Sequence, residues 1–325
     1  MIMPHLKPGS RVLVAGASGL VGSAVIRRLR ETTDAVVLAP TRAEVDLTDA
    51  AAVTRYFEAE RPDLMVMAAA RVGGILANSE HPVEFLTDNL SMELNVLHAA
   101  HRFKVRRTVF LGSSCVYPRD AEQPIREEYL LSGRLEKTNE AYAVAKIAGI
   151  QLCKAFNQQF GEAFVTLMPS NLYGPFDNFD LSTSHVLPAL IRKCHDAKEN
   201  GAPDITLWGS GRALREFLFI DDLADACLFA LDDRVPPDLY NAGVGKDISI
   251  ADVAHLIMQI VGFEGGVKFD AGKPDGTPRK LLDTSKLRAL GWVARTPLRQ
   301  GIERTYEWYR RAIAEPRGVK GAGRQ

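Results

Sequence analysis

Apolar and polar positions alternate between two kinds of segment over the first half of the chain. Short, nearly continuous apolar runs at 11–15, 35–39, 64–70, 108–111 and 164–168 carry the signature of strands buried on both faces of a parallel sheet. Between them lie longer stretches with apolar residues at helical spacing, at 23–30, across most of 78–102, and through the segment around Tyr142. Strand–helix alternation of this kind predicts an α/β, doubly wound parallel sheet. After Pro175 the alternation lapses, and aspartate, asparagine and serine dominate 177–184. Beyond it the pattern predicts short strands at 205–209 and 215–220 around a turn at 209–211. A helix capped by Asp221 and Asp222 then runs to Leu231. Amphipathic helices follow at 253–261 and near 298–313, with a turn-rich loop at 273–280 between them.

The turn after the first strand reads Gly16, Ala17, Ser18, Gly19, Leu20, Val21, Gly22. A strand, a glycine-rich turn and a helix in succession form the context of a dinucleotide site of Rossmann type. Gly16 permits the tight turn, Gly19 lets backbone approach a pyrophosphate, and Gly22 allows close packing. The helix N-terminus then faces the phosphates. An acid at the end of the second strand would hold the ribose hydroxyls of NAD; the chain offers Arg42 instead, suited to the 2′-phosphate of NADPH. A solvated surface arginine is the alternative reading. Asp46 and Leu47 come next, placed to touch the adenine if the chain turns back there.

Tyr142 and Lys146 stand four apart, so on a helix they project from one face. An ammonium beside a phenol favours the phenolate and would lower its pKa, which suits proton exchange at a carbonyl or alcohol. The same spacing also fits a partly buried ring beside a solvated charge. Ser113 and Cys115 follow the strand at 108–111, at a carboxyl end where open parallel sheets bind ligands. Cys115 also fits a small buried residue.

Composition narrows the classes. The chain has 325 residues, 46% hydrophobic and 25% charged, with a formal net charge of zero, so neither nucleic acid nor an anionic membrane is expected as a partner. No apolar run reaches spanning length, and the first ten residues lack a secretory core. Four dispersed cysteines form no CxxC pair, which predicts a reduced, cytoplasmic protein without structural metal.

Ser113, Tyr142, Lys146 and the glycine turn together resemble the extended branch of the short-chain dehydrogenases/reductases. The segments 110–118, 139–149, 169–175, 184–189 and 273–283 are similar to those of the GDP-L-fucose synthase family, and the likeness runs from Gly16 to about Trp308. The resemblance implies conversion of GDP-4-keto-6-deoxy-D-mannose to GDP-L-fucose by epimerisation at C3 and C5 and reduction at C4 with NADPH. Cys115 would then be the base and His185 the acid of the epimerisations. Ser113 and Tyr142 would hydrogen-bond the ketone oxygen, and Lys146 would hold the nicotinamide ribose. It further implies cofactor contacts from Leu111, Gly112, Ser113, Ser114, Pro169, Ser170, Asn171, Leu172 and His185, and contacts to the GDP-sugar from Lys193, Trp208, Arg215 and Asp275. Arg279 and Lys280 are further candidates for the substrate. The family is typically dimeric, so a homodimer is expected. The implied organisation is an NADP-binding domain of 1–174 and 217–243, a smaller discontinuous α/β substrate domain of 175–216 and 244–314, and a disordered tail at 315–325. Two other readings stay open: an NDP-sugar epimerase, or a reductase acting on a dideoxy analogue; and a non-catalytic NADPH sensor.

Overall fold

The computed structural model of the protein describes residues 6–270, 272 and 276–315. Asp275, the start of the turn-rich loop, and residues 316–325 of the expected tail lie outside the described residues.

The first half alternates as its pattern predicts. Strand β1 (Arg11–Ala15) leads into helix α1 (Leu20–Thr32), and β2 (Val36–Leu38) into α2 (Ala50–Glu60). After β3 (Leu64–Met67) come α3 (Ile75–Glu80) and α4 (Pro82–Arg102), then β4 (Arg107–Leu111), α5 (Glu140–Phe160) and β5 (Phe164–Pro169). The helical stretch read as one piece at 78–102 is broken at His81. Pro82 opens α4 at a position where a missing N–H costs nothing.

The second half is built from shorter pieces. β6 (Asn171–Tyr173), α6 (Val186–Glu199), β7 (Asp204–Trp208), β8 (Leu214–Arg215) and β9 (Phe217–Phe219) lead to α7 (Ile220–Ala230). Then follow β10 (Leu239–Ala242), β11 (Ile248–Ser249), α8 (Ile250–Val261), β12 (Gly266–Asp270), β13 (Arg279–Lys280), α9 (Ser285–Ala289) and α10 (Leu298–Ala314).

Six strands form the main sheet in the order β10–β5–β4–β3–β1–β2, with every neighbouring pair parallel. The order reverses beside β1, so the crevice beyond the carboxyl ends of β1, β3 and β4 is the natural ligand position. Alternation along the strands feeds two cores. Val12 and Val14 pack with Val25, Leu29 and Leu223 on one face, and Leu13 and Ala15 with Phe57, Val96 and Phe110 on the other. A third core joins Phe179, Leu190, Ile191, Ile257, Ile302 and Tyr309, under α6, α8 and α10.

Three expectations change. The strands near 205–209 and 215–220 do not pair across the turn: β7 pairs with β12, β8 with β11 and β13, and β9 with β6. Asp221 and Asp222 lie in the first turn of α7 rather than capping it. Asp221 pairs with Arg27 and Arg304, and Asp222 accepts from the Thr296 N–H at 2.9 Å, so both acids tie α7 to its neighbours. α6 has no counterpart among the elements that the sequence pattern predicts. Pro188 interrupts the helical pattern there, yet it falls in the first turn, where proline is tolerated.

Candidate active site

The glycine-rich turn is shaped by contacts only glycine allows. Gly16 has φ +92°, and a Cβ there would lie 2.6 Å from the Ala69 backbone nitrogen. A Cβ on Gly22 would collide with the Gly16 carbonyl oxygen, which locks α1 against β1. Gly19 is different: a Cβ there would make an ordinary contact at 3.5 Å, so its freedom serves the open side of the turn. Gly19 precedes α1 without a side-chain cap, and Ser23 is the first to close a helical hydrogen bond, to the Gly19 carbonyl. The N–H groups of Leu20, Val21 and Gly22 therefore point outward as an anion cradle. These residues fit a dinucleotide pyrophosphate. At the end of β2, Arg42 has an 80% exposed side chain and a long, 3.7 Å pairing with Asp46, so it is available to a 2′-phosphate. Asp46 itself closes a turn onto Thr48, and the Leu47 carbonyl accepts from Asn95 at 3.0 Å.

β4 ends at Leu111, and a short 3-10 turn then carries Ser113 and Cys115 over the sheet edge. The Ser113 Oγ accepts from the Cys115 N–H at 3.4 Å, and Ser113 lies close enough to the Cys115 thiol and the Tyr142 phenol to lower the pKa of each. α5 supplies Tyr142 and Lys146 on one face, with the Tyr142 ring edge-on to Phe85. The structure thus brings Ser113, Cys115, Tyr142 and Lys146 together.

The electrostatics differ from the sequence expectation. The Tyr142 phenol is pushed well above its ordinary pKa, by burial first and then by Cys115 and Glu93, against a lowering hydrogen bond from Ser113. Lys146 does not draw it down, because its ammonium lies 3.1 Å from the Glu93 carboxylate and donates to the Leu111 carbonyl at 3.0 Å. Glu93 escaped the reading of the sequence. Its signal was an acid on the core stripe of α4, in register with buried Phe85, Asn89, Val96 and Ala100.

Burial also raises the Cys115 thiol, opposed chiefly by the Lys280 ammonium and then by Ser113 and Lys146. Lys280 stays partly accessible while its own pKa is lowered by desolvation, which marks a residue lining a cleft. His185 has the same character: it is solvent-accessible, yet surrounding protein depresses its imidazole. It sits at the N-cap of α6, and the preceding segment is latched by the Gly74 N–H to the Thr183 carbonyl at 3.1 Å and by Asp180 accepting from Thr183. The segment before His185 is thereby tied to the loop that leaves β3, the strand next to β4.

Gly112 is packed so closely on the Met168 sulfur that a Cβ would overlap it, and Ser114 is buried behind it. Pro169 ends β5. Ser170 next to it is buried with no partner for its hydroxyl among the described residues, a polar group left for a ligand. Asn171 is engaged elsewhere, donating through its amide side chain to the Glu216 carbonyl at 2.8 Å, and Leu172 pairs with Leu218 in β9. Among the expected substrate residues, Trp208 ends β7 with 53% exposure, open to a ligand rather than in the core. Lys193 on α6 reaches across to β7 and donates to the Thr206 carbonyl at 2.8 Å. Arg215 on β8 stands in register with Lys280 on β13, so two cations lie side by side on adjacent strands, as a diphosphate requires. Arg279, by contrast, is an exposed partner of Asp247 at 2.5 Å. Among the described residues no cluster of histidine, cysteine, aspartate or glutamate is arranged to hold a metal, and all four cysteines are free and buried.

Residues 12–243 match the NAD dependent epimerase/dehydratase family. The chain is 50% identical to GDP-L-fucose synthase 1 of Arabidopsis thaliana, over 92% of this chain and 93% of that one. It is 47% identical to the GDP-L-fucose synthase of Escherichia coli (strain K12), over 92% of this chain and 96% of the relative. A crystal structure of a GDP-L-fucose synthetase from Naegleria fowleri bound to NADP superposes with a TM-score of 0.89 at 34% identity, over 98% of each chain.

Proposed function

Because the chain belongs to the NAD dependent epimerase/dehydratase family, and within it to the GDP-L-fucose synthases, we propose that it makes GDP-L-fucose from GDP-4-keto-6-deoxy-D-mannose. The reading is carried by one observation: Ser113 sits beside both a buried thiol, Cys115, and a partly buried phenol, Tyr142, and lowers the pKa of each. A simple reductase needs only the phenol. The thiol adds a second acid–base group beside the same carbonyl.

The 4-ketone acidifies the C–H bonds at C3 and C5. Cys115, as thiolate, takes a proton from the substrate, and His185 returns one to the opposite face, which inverts the centre. Lys280 stabilises the thiolate, since it is the largest charge opposing the burial of Cys115. Ser113 and Tyr142 donate hydrogen bonds to the C4 oxygen while it carries enolate charge. The 16–22 turn, Arg42, Lys146 and the Ser170 region would hold NADPH, which would supply the hydride for C4. Tyr142 delivers the accompanying proton to the oxygen, an acid role that its raised pKa favours. Trp208, Lys193, Arg215 and Lys280 hold the GDP moiety, with Asp275 as a further contact.

The NADP-binding unit of 1–174 and 217–243 and the substrate unit of 175–216 and 244–314 are the proposed division of labour. The proposed assembly is a homodimer through the outward faces of α4 and α5, which expose Leu94, Val144 and Phe160. The proposed compartment is the cytoplasm, where its free thiols stay reduced.

The test is turnover in heavy water. The purified protein should oxidise NADPH with GDP-4-keto-6-deoxy-D-mannose, and the product should carry deuterium at C3 and C5. Binding of the sugar nucleotide without NADPH oxidation overturns the proposal. Oxidation without deuterium would reduce the enzyme to a C4 reductase.

A further inference from the structure

Glu93 on α4 and Lys146 on α5 are each only 2% exposed. Apart from that ammonium, neither Glu93 carboxylate oxygen has a hydrogen-bond partner among the described residues. Burial pushes the Glu93 carboxyl up and the Lys146 ammonium draws it back down, and a buried acid so sparsely satisfied is costly, which calls for a role beyond filling space. Two neighbours show that the pair is built. Lys146 is fixed from a second side, donating to the Leu111 carbonyl at 3.0 Å with its Nζ 4.8 Å from the centre of the Phe110 ring. Gly149, one turn further along α5, leaves room for the acid: a Cβ there would lie 2.6 Å from the Glu93 Oε2. A glycine inside a helix is less favourable than alanine, so α5 gives up helix propensity where Glu93 enters.

Resting on the reductase reading above, we infer that Glu93 is a positioning residue for the C4 reduction. It anchors the Lys146 ammonium beneath Tyr142 and offsets its charge, so that the phenol keeps the proton it must deliver. An uncompensated ammonium one helical turn from Tyr142 would favour the phenolate, which cannot act as an acid. Among the described residues, these groups face Tyr142. α4 brings Glu93 and, behind the Phe85 ring, Asp88 paired with Arg71 of the loop after β3. The turn after β4 brings Ser113 and Cys115, and α5 itself brings Lys146. Burial, Cys115 and Glu93 all raise the phenol, and Glu93 is the only one of these that also holds the lysine.

The test uses the full chain as wild type, Glu93→Gln, Glu93→Asp, and Glu93→Gln combined with Tyr142→Phe. Folding and NADPH affinity are checked first by thermal melting and cofactor fluorescence. Phenolate absorbance is then titrated in the free protein, and the pH profile of kcat/KM is measured for NADPH oxidation. Glu93→Gln should bring one tyrosine into ionisation at least about one pH unit below wild type, the scale on which a nearby charge acts. That signal should vanish in the combined variant. The alkaline limb of the reduction should move the same way, and Glu93→Asp should restore both. A glutamine variant that is merely less stable, with titration and limb at wild-type positions, overturns the inference. Should the wild type not oxidise NADPH with the keto-sugar, the proposed function falls separately, and the phenolate titration still decides the role of Glu93.

Discussion

Cys115 shows how far a residue's chemistry depends on its setting. Its raised pKa means that the thiol, not the thiolate, is the resting form at neutral pH. The base is therefore scarce there and grows about tenfold per pH unit until the thiol titrates. Exchange of solvent deuterium into C3 and C5, measured under single-turnover conditions, should rise with pH through the neutral range. Cys115→Ser should suppress that exchange by about 100-fold or more, the usual scale for losing a general base, with NADPH binding unchanged. Exchange at the wild-type rate would remove Cys115 from the mechanism. Residue identity made this cluster readable: a serine, a cysteine and a Tyr–Lys pair at the right sites of an α/β pattern. What it left unreadable was the sign of the Tyr142 shift. That sign depends first on burial, to which the packing of α4 against α5 contributes, then on Cys115 and on Glu93, nearly fifty positions away in sequence.

At the scale of elements, the β1–turn–α1 unit was legible because its logic is local. Three glycines at fixed spacing after an apolar run leave little choice of geometry, and the structure gives two of them a steric reason. Gly22→Ala should accordingly destabilise the protein by about 1–3 kcal/mol, as overpacking does, since the atom it meets is backbone and cannot turn away. It should also weaken NADPH binding by shifting α1 from β1. A denaturant titration and cofactor fluorescence read the two effects, and a variant with unaltered stability would contradict the contact. The second half was harder to read for the opposite reason. β7, β8 and β9 find partners far along the chain, in three separate small sheets, and no local signal announces such pairings. The segment 215–220 also divides between β8 and β9 at Glu216, whose buried carboxylate accepts from the N–H groups of Gly245 and Leu282.

At the scale of the whole molecule, α4 and α5 carry two duties on opposite faces. Inward, α4 presents Glu93 and Val96 to the site and the core, and α5 presents Lys146, Gly149 and Cys153. Outward, Leu94 is 46% and Val144 43% exposed, and Ala148 and Ala155 continue the stripe on α5 with small side chains that permit close approach. An apolar stripe on two adjacent helices suits a two-fold, helix-to-helix contact with a second copy. Leu94→Arg with Val144→Arg would bury unpaired charge in such a contact, a penalty of several kcal/mol. The dissociation constant should then rise at least about 100-fold, at about 1.4 kcal/mol per decade. Sedimentation equilibrium would read this directly: a dimeric wild type and a monomeric double variant are expected, and a monomeric wild type would dismiss the interface. The consequence reaches the site, because the outward stripe lies on the same two helices that hold Glu93 against Lys146. If the partner stiffens that pair, the monomeric variant should lose reductive kcat by more than it loses NADPH affinity. Equal losses, or none, would separate assembly from catalysis.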